Sequence, residues 1–399
     1  MNDKIQLLIH GFLEKCSENW DIKYDLIINK FNPVDIKSTY TYNVKRGDIN
    51  VTWYVIENDN WKLTLNDQED YYSYFSKLSG YRLLFGKTLK DDPEWCELGP
   101  EIMDLEISVN GCPTINGHNC KFCYKNNTNK TPYNMFFDTF KSIINKMPKN
   151  LQQIAFGITG VKTNPDFPKM IQYCKDNGII PNFTTNGVDL DDDFIKEHCC
   201  KCGAIAVSCY EGAKEICYDT IKRIHTILPE MHINSHIVLS KGTFNHVMDV
   251  LKDISEGKVA GLRSLVFLRI KPVGRAACMD CGVTGEMYTK IIRFCTEHDI
   301  SYGFDSCSAK SVISVLKNLG KDNLCNNCES CESSRFSSYI NVKGEYWNCS
   351  FCENNQNIMK PIDVLKCNSF DEVWHNKELD IIRTKSMKCC SSCPWYNLD

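Results

Sequence analysis

The amino-acid sequence predicts an α/β fold in which repeated βα units form a parallel sheet, flanked by a small α+β module and a cysteine-dense tail. Three observations support this prediction. Short apolar segments alternate with helical stretches from Asp104 to Ser308. Residues 1–100 contain no cysteine pair, whereas the chain as a whole has 24 cysteines, many of them near its end. We therefore expect three parts, 1–100, 101–308 and 309–399.

Composition excludes several classes of protein. The 399 residues include 46 Lys+Arg and 50 Asp+Glu, a formal charge of −4, so a basic surface for nucleic acid or membrane is not expected. The first residues show no secretory signal, and apolar runs such as Leu265–Leu268 are too short to cross a membrane. A cytoplasmic protein is expected, and its thiols should be metal ligands, catalytic groups or buried apolar side chains rather than disulfides.

The first hundred residues resemble a small α+β module. A helix is expected over Lys4–Glu18, and two strands, Ile49–Tyr54 and Trp61–Leu65, are expected around the turn Glu57–Asn60. The module could dock a substrate or leader peptide, or it could be a packing appendage. The sequence leaves both alternatives open.

The central segment predicts seven strands with helices between them, in a sheet that is open or closed into a barrel. In such barrels the chemistry lies at the carboxyl ends of the strands, so the loops after the strands deserve inspection. The expected strands are Leu105–Val109, Gln153–Phe156, Pro181–Thr184, Ala204–Ser208, His232–Leu239, Leu265–Ile270 and Ser301–Phe304. The expected helices lie near Asn134–Lys146, Phe167–Asn177, Asp192–His198, Lys214–Leu228, Thr243–Ile254 and Gly285–Glu297.

The loop after the first of these strands carries three cysteines, Cys112, Cys120 and Cys123, in the pattern Cys-x7-Cys-x2-Cys. Thiolates are soft ligands that favour zinc or iron–sulfur clusters. A structural zinc site and a cubane cluster each normally take four protein ligands, and this loop supplies three. An open coordination position is what a catalytic centre needs, although a zinc site stays an alternative.

With this loop the chain resembles the radical S-adenosylmethionine (SAM) superfamily, in which three cysteines after the first strand of a partial (β/α)6 barrel bind a 4Fe–4S cluster. The resemblance implies that Cys112, Cys120 and Cys123 bind this cluster and that SAM chelates its open iron. The commonest family spacing is Cys-x3-Cys-x2-Cys, so the first gap here is four residues longer.

Further segments in barrel order match the same family, and the resemblance implies that they contact SAM. The second strand is followed by Phe156–Gly160, where the family has a Gly-Gly-Glu-like turn; the usual Glu is missing here. Each segment can also be explained structurally, since glycines mark ordinary turns and His236 or Arg275 could be a structural or surface residue. The implied SAM contacts are Phe122, Gly157, Thr159, Gly160, Asn186, Ser208, His236 and Arg275.

The tail contains a second group of cysteines. Cys331-x12-Gly344-x4-Cys349 spans an expected hairpin and is similar to SPASM and twitch domains, which bind auxiliary 4Fe–4S clusters. This resemblance implies one auxiliary cluster, and a possible second one; zinc is the alternative. The first ligand set is Cys331, Cys349, Cys390 and Cys393, and the second is Cys307, Cys325, Cys328 and Cys352.

Other cysteines need no cofactor. Cys16, Cys96, Cys174, Cys217 and Cys295 are expected as buried apolar side chains. Two further groups have ligand-like spacing, namely Cys199–Cys202 and Cys278–Cys281.

The resemblance implies a radical SAM enzyme that cleaves SAM reductively to a 5′-deoxyadenosyl radical and abstracts hydrogen from a substrate. A SPASM-like tail suggests a peptide or protein substrate, modified in the manner of a maturase, and an external one-electron reductant of the flavodoxin or ferredoxin type. Two alternatives stay open. One is a radical SAM enzyme acting on a small molecule or nucleoside, and the other is a non-catalytic iron–sulfur or zinc-binding module.

Overall fold

A computed structural model describes residues 3–17, 35–88, 91–388, 393–396 and 398. The chain begins with helix α1 (Asp3–Ser17), followed by a five-stranded antiparallel meander in the order β1-β2-β3-β4-β5. The strands are β1 (Ser38–Arg46), β2 (Ile49–Glu57), β3 (Trp61–Asn66), β4 (Tyr72–Ser76) and β5 (Arg82–Phe85).

Period-two alternation on β2 explains why this sheet is covered on both faces. Tyr54 and Ile56 belong to the core beneath helix α1, whereas Val51, Trp53 and Val55 point to the opposite face. The second face packs against residues of the later chain, including Phe336. The predicted helix and two strands of this module are therefore present, and three further strands join them.

The centre of the molecule is a parallel sheet that continues into the tail. Ten described strands lie side by side in this sheet, in the order β14 (Tyr302–Phe304), β13 (Ser264–Arg269), β12 (His232–Leu239), β11 (Ala204–Ser208), β10 (Ile180–Thr185), β9 (Gln153–Gly157), β6 (Ile102–Glu106), β15 (Ser337–Ile340), β16 (Glu345–Trp347) and β17 (Ile362–Asp363). The pairs from β14 to β15 are parallel. The first seven are the barrel strands, and β7 (Ser108–Val109) and β8 (Tyr133–Asn134) form a separate ribbon.

Helices cover one side of this sheet and leave the other side facing a lumen. Along β12, Ile233, Ser235 and Ile237 are buried, while the alternate positions Asn234 and His236 keep partial exposure. The flanking helices are α2 (Phe137–Lys146), α3 (Phe167–Asp176), α4 (Asp192–Glu197), α5 (Lys214–Ile227), α6 (Phe244–Ser255), α7 (Gly285–Glu297) and α8 (Ala309–Asn318). Short 3-10 helices are Cys199–Lys201, Lys241–Thr243, Gly274–Cys278, Ser306–Ser308, Asp322–Asn327, Ser350–Cys352 and Val364–Lys366.

The tail is joined directly to the barrel sheet. Strand β15 (Ser337–Ile340) pairs in parallel with β6, and β16 (Glu345–Trp347) and β17 (Ile362–Asp363) extend the sheet in antiparallel fashion. Helices α9 (Phe370–Trp374) and α10 (Lys377–Lys388) complete the tail. Because Tyr339, Trp347 and Trp374 belong to the same core as the barrel residues, barrel and tail pack as one hydrophobic unit.

All seven predicted strands of the parallel sheet are present, and their observed ends differ from the predicted ends by a few residues. The hairpin around Gly344 is also present as β15 and β16. No helix among the described residues is both long enough and apolar enough to cross a membrane.

Candidate functional site

The loop between β7 and β8, residues 110–132, lies at the carboxyl end of the first barrel strand; we call it the cluster loop. Its base is closed by hydrogen bonds, since the Cys112 amide donates to Thr128 O at 3.1 Å and the Asn110 side chain accepts from the Thr128 amide at 3.1 Å. Gly111 has a φ of +67°, and a Cβ there would lie 3.0 Å from Pro132 and from Thr163. Glycine is thus required where the loop leaves the sheet.

The three thiols of the cluster loop influence one another electrostatically. Burial, and then the Cys123 thiol, raises the pKa of Cys112 to about 11. Burial is likewise the main reason that the pKa of Cys120 is raised to about 11. All three side chains are only partly buried. They are neighbouring soft donors at a surface that a ligand can reach, which is the donor chemistry that a cluster needs.

Arg275, in the loop that follows β13, holds the cluster loop in place by hydrogen bonds. Its Nε donates to Cys120 O at 2.8 Å, its Nη2 donates to Asn127 O at 2.8 Å, and its backbone amide donates to Cys123 O at 3.0 Å. Gly274 has a φ of +61°, and a Cβ there would meet Tyr124 O at 2.4 Å. The loop after β13 therefore grips the backbone on both sides of Cys123, and the positive charge of Arg275 also lowers the pKa of Cys112.

Two aromatic rings line the site beside the thiols. Phe122 and Tyr210 have ring centroids 5.7 Å apart. Burial, followed by the Cys120 thiol, raises the pKa of Tyr210, and a side-chain hydrogen bond with Ser208 opposes this. Strand β11 thus delivers Ser208 and Tyr210 to the cluster loop.

Of the predicted SAM contacts near β9 and β10, Gly160 and Asn186 pack against the cluster loop, whereas Gly157 is exposed. Gly160 is buried, and a Cβ there would lie 2.8 Å from Pro113 and 2.5 Å from Asp189. Asn186 donates to Pro113 O at 2.9 Å, so both residues support the cluster loop. Gly157 is exposed at the end of β9, while the Thr159 amide donates to Ser108 Oγ at 3.0 Å.

His236 lies on β12 with its side chain toward the lumen. It pairs in register with Ser208, and its Nδ1 lies 3.5 Å from Thr184 Oγ1. Burial lowers its pKa to about 4. His236 is therefore neutral at neutral pH and can donate or accept a hydrogen bond there.

A buried ionic cluster connects the cluster loop to the tail. Lys125 Nζ lies 2.9 Å from Glu106 Oε1 on β6, donates to Tyr339 OH at 2.7 Å, and pairs with Glu353. Tyr339 in turn donates to Glu353 at 2.7 Å. Burial lowers the pKa of Lys125 although Glu106 opposes it. This cluster was not predicted from the sequence, because its members are far apart in the chain.

Five thiols meet in one place, four from the tail and one, Cys307, from the end of the barrel segment. We call them the tail thiol group: Cys307, Cys331, Cys349, Cys352 and Cys393. A hydrogen bond between the two thiols raises the pKa of Cys307 and lowers that of Cys393. A similar bond with Cys352, together with burial, raises the pKa of Cys349. Burial, and then Cys349, raises the pKa of Cys331 to about 12.

The remaining sequence-predicted ligands lie elsewhere or outside the described residues. Burial, and then Cys325, raises the pKa of Cys328, so these two thiols are neighbours. The Cys325 thiol points to Ile313 O of α8 at 4.0 Å. Cys390 lies outside the described residues. The five cysteines expected as apolar side chains, Cys16, Cys96, Cys174, Cys217 and Cys295, are all buried.

The cluster loop and the tail thiol group touch through an aromatic pair. Tyr124 follows Cys123, Phe351 precedes Cys352, and the two ring centroids are 4.5 Å apart. The two candidate centres are therefore neighbours across this contact.

In the part of the chain that the structure describes, no three or more His, Cys, Asp or Glu side chains converge closely enough to hold a single metal ion. A cubane cluster is held on separate irons, so its ligands lie further apart than those of one ion. Three thiols with one open side fit such a cluster at the cluster loop, and the tail thiol group offers enough donors for a closed one.

The predicted fold class is confirmed, since the chain has a large parallel α/β sheet, an N-terminal antiparallel module and a cysteine-rich C-terminal region. No protein-family model and no curated protein matches this sequence. At the level of structure, the chain is similar to SuiB of Streptococcus suis bound to its precursor peptide SuiA, with a TM-score of 0.58, 11% identity, and coverage of 72% of this chain and 67% of SuiB.

Two further structures show the same likeness. SuiB bound to S-adenosylmethionine matches with a TM-score of 0.57, 11% identity, and coverage of 72% of this chain and 68% of that one. Native anSMEcpe, with bound AdoMet and the Cp18Cys peptide, matches with a TM-score of 0.52, 16% identity, and coverage of 75% of this chain and 88% of that one. At these identities the likeness establishes a shared fold.

Proposed function

We propose that this protein is a radical SAM enzyme that modifies a peptide or protein substrate. The observation that carries the proposal is the cluster loop. It holds three interacting thiols, Cys112, Cys120 and Cys123, after the first strand of the parallel sheet, and Arg275 fixes its backbone. The likeness in fold to two structures solved with bound SAM or AdoMet supports the same proposal.

When bound, the 4Fe–4S cluster and SAM supply a reductively generated 5′-deoxyadenosyl radical that abstracts hydrogen from the substrate. The chain's own residues hold and enclose this chemistry. Phe122 and Tyr210 form an aromatic wall beside the thiols, and Ser208, His236 and Gly157 offer polar or open lumen positions for SAM. Thr159 stands in the same turn as Gly157. Gly160, Asn186 and Arg275, also predicted as SAM contacts, act at least in part by fixing the cluster loop.

The tail is proposed to hold an auxiliary 4Fe–4S cluster on thiols drawn from the tail thiol group. Cys331, Cys349 and Cys393 come from the first set expected from the sequence, and Cys307 and Cys352 from the second. Cys390 stays a candidate ligand by sequence. Cys325 and Cys328 form a separate pair, which is the part of the tail that a second cluster would use.

Several observations favour a peptide as substrate over a small molecule or nucleoside. SuiB was solved with its precursor peptide and anSMEcpe with a peptide, and this chain shares their fold. Among the described residues, the N-terminal module also presents β1 as a sheet edge nine residues long, which an extended peptide could join as a further strand. An external reductant of the flavodoxin or ferredoxin type would supply the electron.

The test begins with anaerobically purified protein. We expect iron and sulfide from more than one cluster, and 5′-deoxyadenosine on incubation with SAM and dithionite. Cys120→Ala should retain the auxiliary iron and form no 5′-deoxyadenosine. Zinc without iron, or equal 5′-deoxyadenosine in wild type and Cys120→Ala, would overturn the proposal.

The substrate class needs a second experiment. A short peptide encoded beside the gene should bind the full-length protein and change in mass when SAM and dithionite are present. Binding should weaken when proline replaces Thr41 in the middle of β1, if the module docks the peptide. A nucleoside or small metabolite that is turned over while the peptide is ignored would favour the alternative.

A further inference from the structure

Lys271 is a buried lysine placed where the barrel meets the tail thiol group. It follows β13 and is 5% exposed. Its Nζ forms an ion pair with Asp305, which follows the neighbouring strand β14. Two charged residues at the carboxyl ends of adjacent strands are thus paired inside the protein. This pair is not used by the cluster loop, and the sequence did not single it out.

The charge of Lys271 faces the tail thiol group. Its Nζ lies 4.6 Å from the ring centroid of Phe351, the residue before Cys352. Asp305 stands two residues before Cys307. Burial alone would lower the pKa of Lys271, but Asp305, Cys307 and Cys349 together raise it. These contacts place the ammonium group beside two of the five thiols.

Lys271 and Asp305 carry opposite charges on this side of the tail thiol group. Lys271 Nζ lies over the ring of Phe351, which precedes Cys352, and Asp305 lies two residues before Cys307. The ammonium group of Lys271 is thus a buried positive charge next to the segments that carry these two thiols. In a buried setting such a charge acts strongly, because little solvent screens it.

A reduced iron–sulfur cluster carries one more negative charge than its oxidised form, so a nearby fixed charge changes its reduction potential. We propose that Lys271 raises the reduction potential of the auxiliary centre, and that Asp305 tempers this effect. The inference rests on the proposed function, since it takes the tail thiol group to hold a cluster. In this role Lys271 acts on the auxiliary centre through its fixed positive charge, and it does not contact the substrate.

Lys271 lies on the side of the auxiliary centre that faces the cluster loop. Phe351, which lies under the ammonium group, contacts Tyr124 of the cluster loop at 4.5 Å between centroids. In the reduction itself one electron enters from an external donor, and no covalent bond is made or broken.

The test is a potentiometric titration of anaerobic, iron-loaded protein with dithionite and redox mediators, followed by electron paramagnetic resonance. A background that carries Cys112→Ala, Cys120→Ala and Cys123→Ala isolates the auxiliary signal. In this background we expect Lys271→Met to shift the midpoint potential to more negative values, and Asp305→Asn to shift it to more positive values.

Matched variants distinguish charge from general disturbance. Lys271→Arg should keep the midpoint near that of the parent, and the double variant Lys271→Met/Asp305→Asn should return toward it, because the two charges are removed together. Lys290→Met, which removes an exposed lysine paired with Glu286 on α7, should leave the midpoint unchanged.

The outcomes separate this inference from the proposed function. Iron-loaded Lys271→Met and Asp305→Asn proteins with the parent's midpoint would overturn the role of Lys271 and leave the auxiliary cluster in place. A background protein without iron would instead overturn the auxiliary cluster itself. If Lys271→Met does not fold, the direction of the shift in Asp305→Asn decides.

Discussion

The cluster loop and the tail thiol group bring thiols together in different ways. The cluster loop takes three thiols from twelve consecutive residues, Cys112 to Cys123, and holds them by backbone hydrogen bonds and Arg275. The tail thiol group takes five thiols from segments as distant as Cys307 and Cys393, brought together by the joined sheet and shared core. Ligands that lie close together in the sequence can be recognised by their spacing. Ligands that come from distant segments can be recognised only once the fold is known.

The largest effect expected from this difference is on SAM cleavage. Cys120→Ala should lower 5′-deoxyadenosine formation by more than about a thousandfold, because the open cluster loses one of its three ligands. The product would be measured by liquid chromatography after anaerobic incubation with SAM and dithionite. The control is Cys295→Ala, which removes a buried thiol of α7 and should retain cleavage. Cleavage that survives in Cys120→Ala would mean that the loop does not bind the reactive cluster.

The tail thiol group should respond differently. Cys331→Ala should lose about four irons per chain, yet SAM cleavage without substrate should stay within a few-fold of wild type. Iron content by mass spectrometry and 5′-deoxyadenosine yield together check this. Cys328→Ala is the matched comparison, because its thiol pairs with Cys325 rather than with the group. Equal iron loss in both variants would point to a second cluster, and loss of cleavage in Cys331→Ala would erase the functional distinction between the two centres.

The parts of the fold that could be predicted from the sequence are those whose packing depends on neighbouring segments of the chain. Period-two and helical patterns identified all seven barrel strands, because each strand buries alternate residues against helices that lie next to it in sequence. The three-cysteine loop was visible for the same reason. Strands β1, β4 and β5 were not predicted, since their pattern depends on covering by α1 and by the later chain.

Contacts between distant segments escaped prediction. The resemblance assigned the tail cysteines to two sets, and in the structure the Cys307 thiol of the second set hydrogen-bonds with the Cys393 thiol of the first. The pairing of β15 with β6 was not predicted from the sequence, and neither was the ion pair between Lys125 and Glu353. Such contacts are decided by tertiary packing, on which spacing within one segment carries no information.

A smaller effect is expected from the residue that fastens the cluster loop. Arg275→Met removes two charge-assisted hydrogen bonds to backbone carbonyls, at Cys120 O and Asn127 O, and should lower the free energy of unfolding by about 3 kcal/mol. Cluster loading at the loop should fall several-fold while the auxiliary iron is kept. Spectroscopic iron quantification and denaturant unfolding measure both. Arg223→Met, on the outer face of α5, is the control. Equal loss from both centres would show that Arg275 supports the whole barrel rather than the loop.

The smallest expected effect concerns pH, and it applies to the barrel side of the comparison. Burial lowers the pKa of His236 to about 4 in the folded protein, compared with an ordinary value of 6.5. Between these two pH values His236 is protonated in the unfolded chain and neutral in the folded protein, which favours unfolding. Stability that depends on neutral His236 is therefore complete above pH 6.5 and is lost progressively as the pH falls toward 4.

Denaturant unfolding at about pH 7.5 and about pH 5.5 should show a loss of about 1 kcal/mol from this residue, after allowance for its partial exposure. His236→Gln should reduce the difference between the two pH values, because glutamine keeps a hydrogen-bonding group and does not titrate. His298→Gln, at the exposed end of α7, makes the same chemical change and should leave the difference as in wild type. A wild-type pH dependence that both variants share would mean that the lumen admits a charged imidazole, and SAM would then meet a cation at this wall instead of a neutral ring.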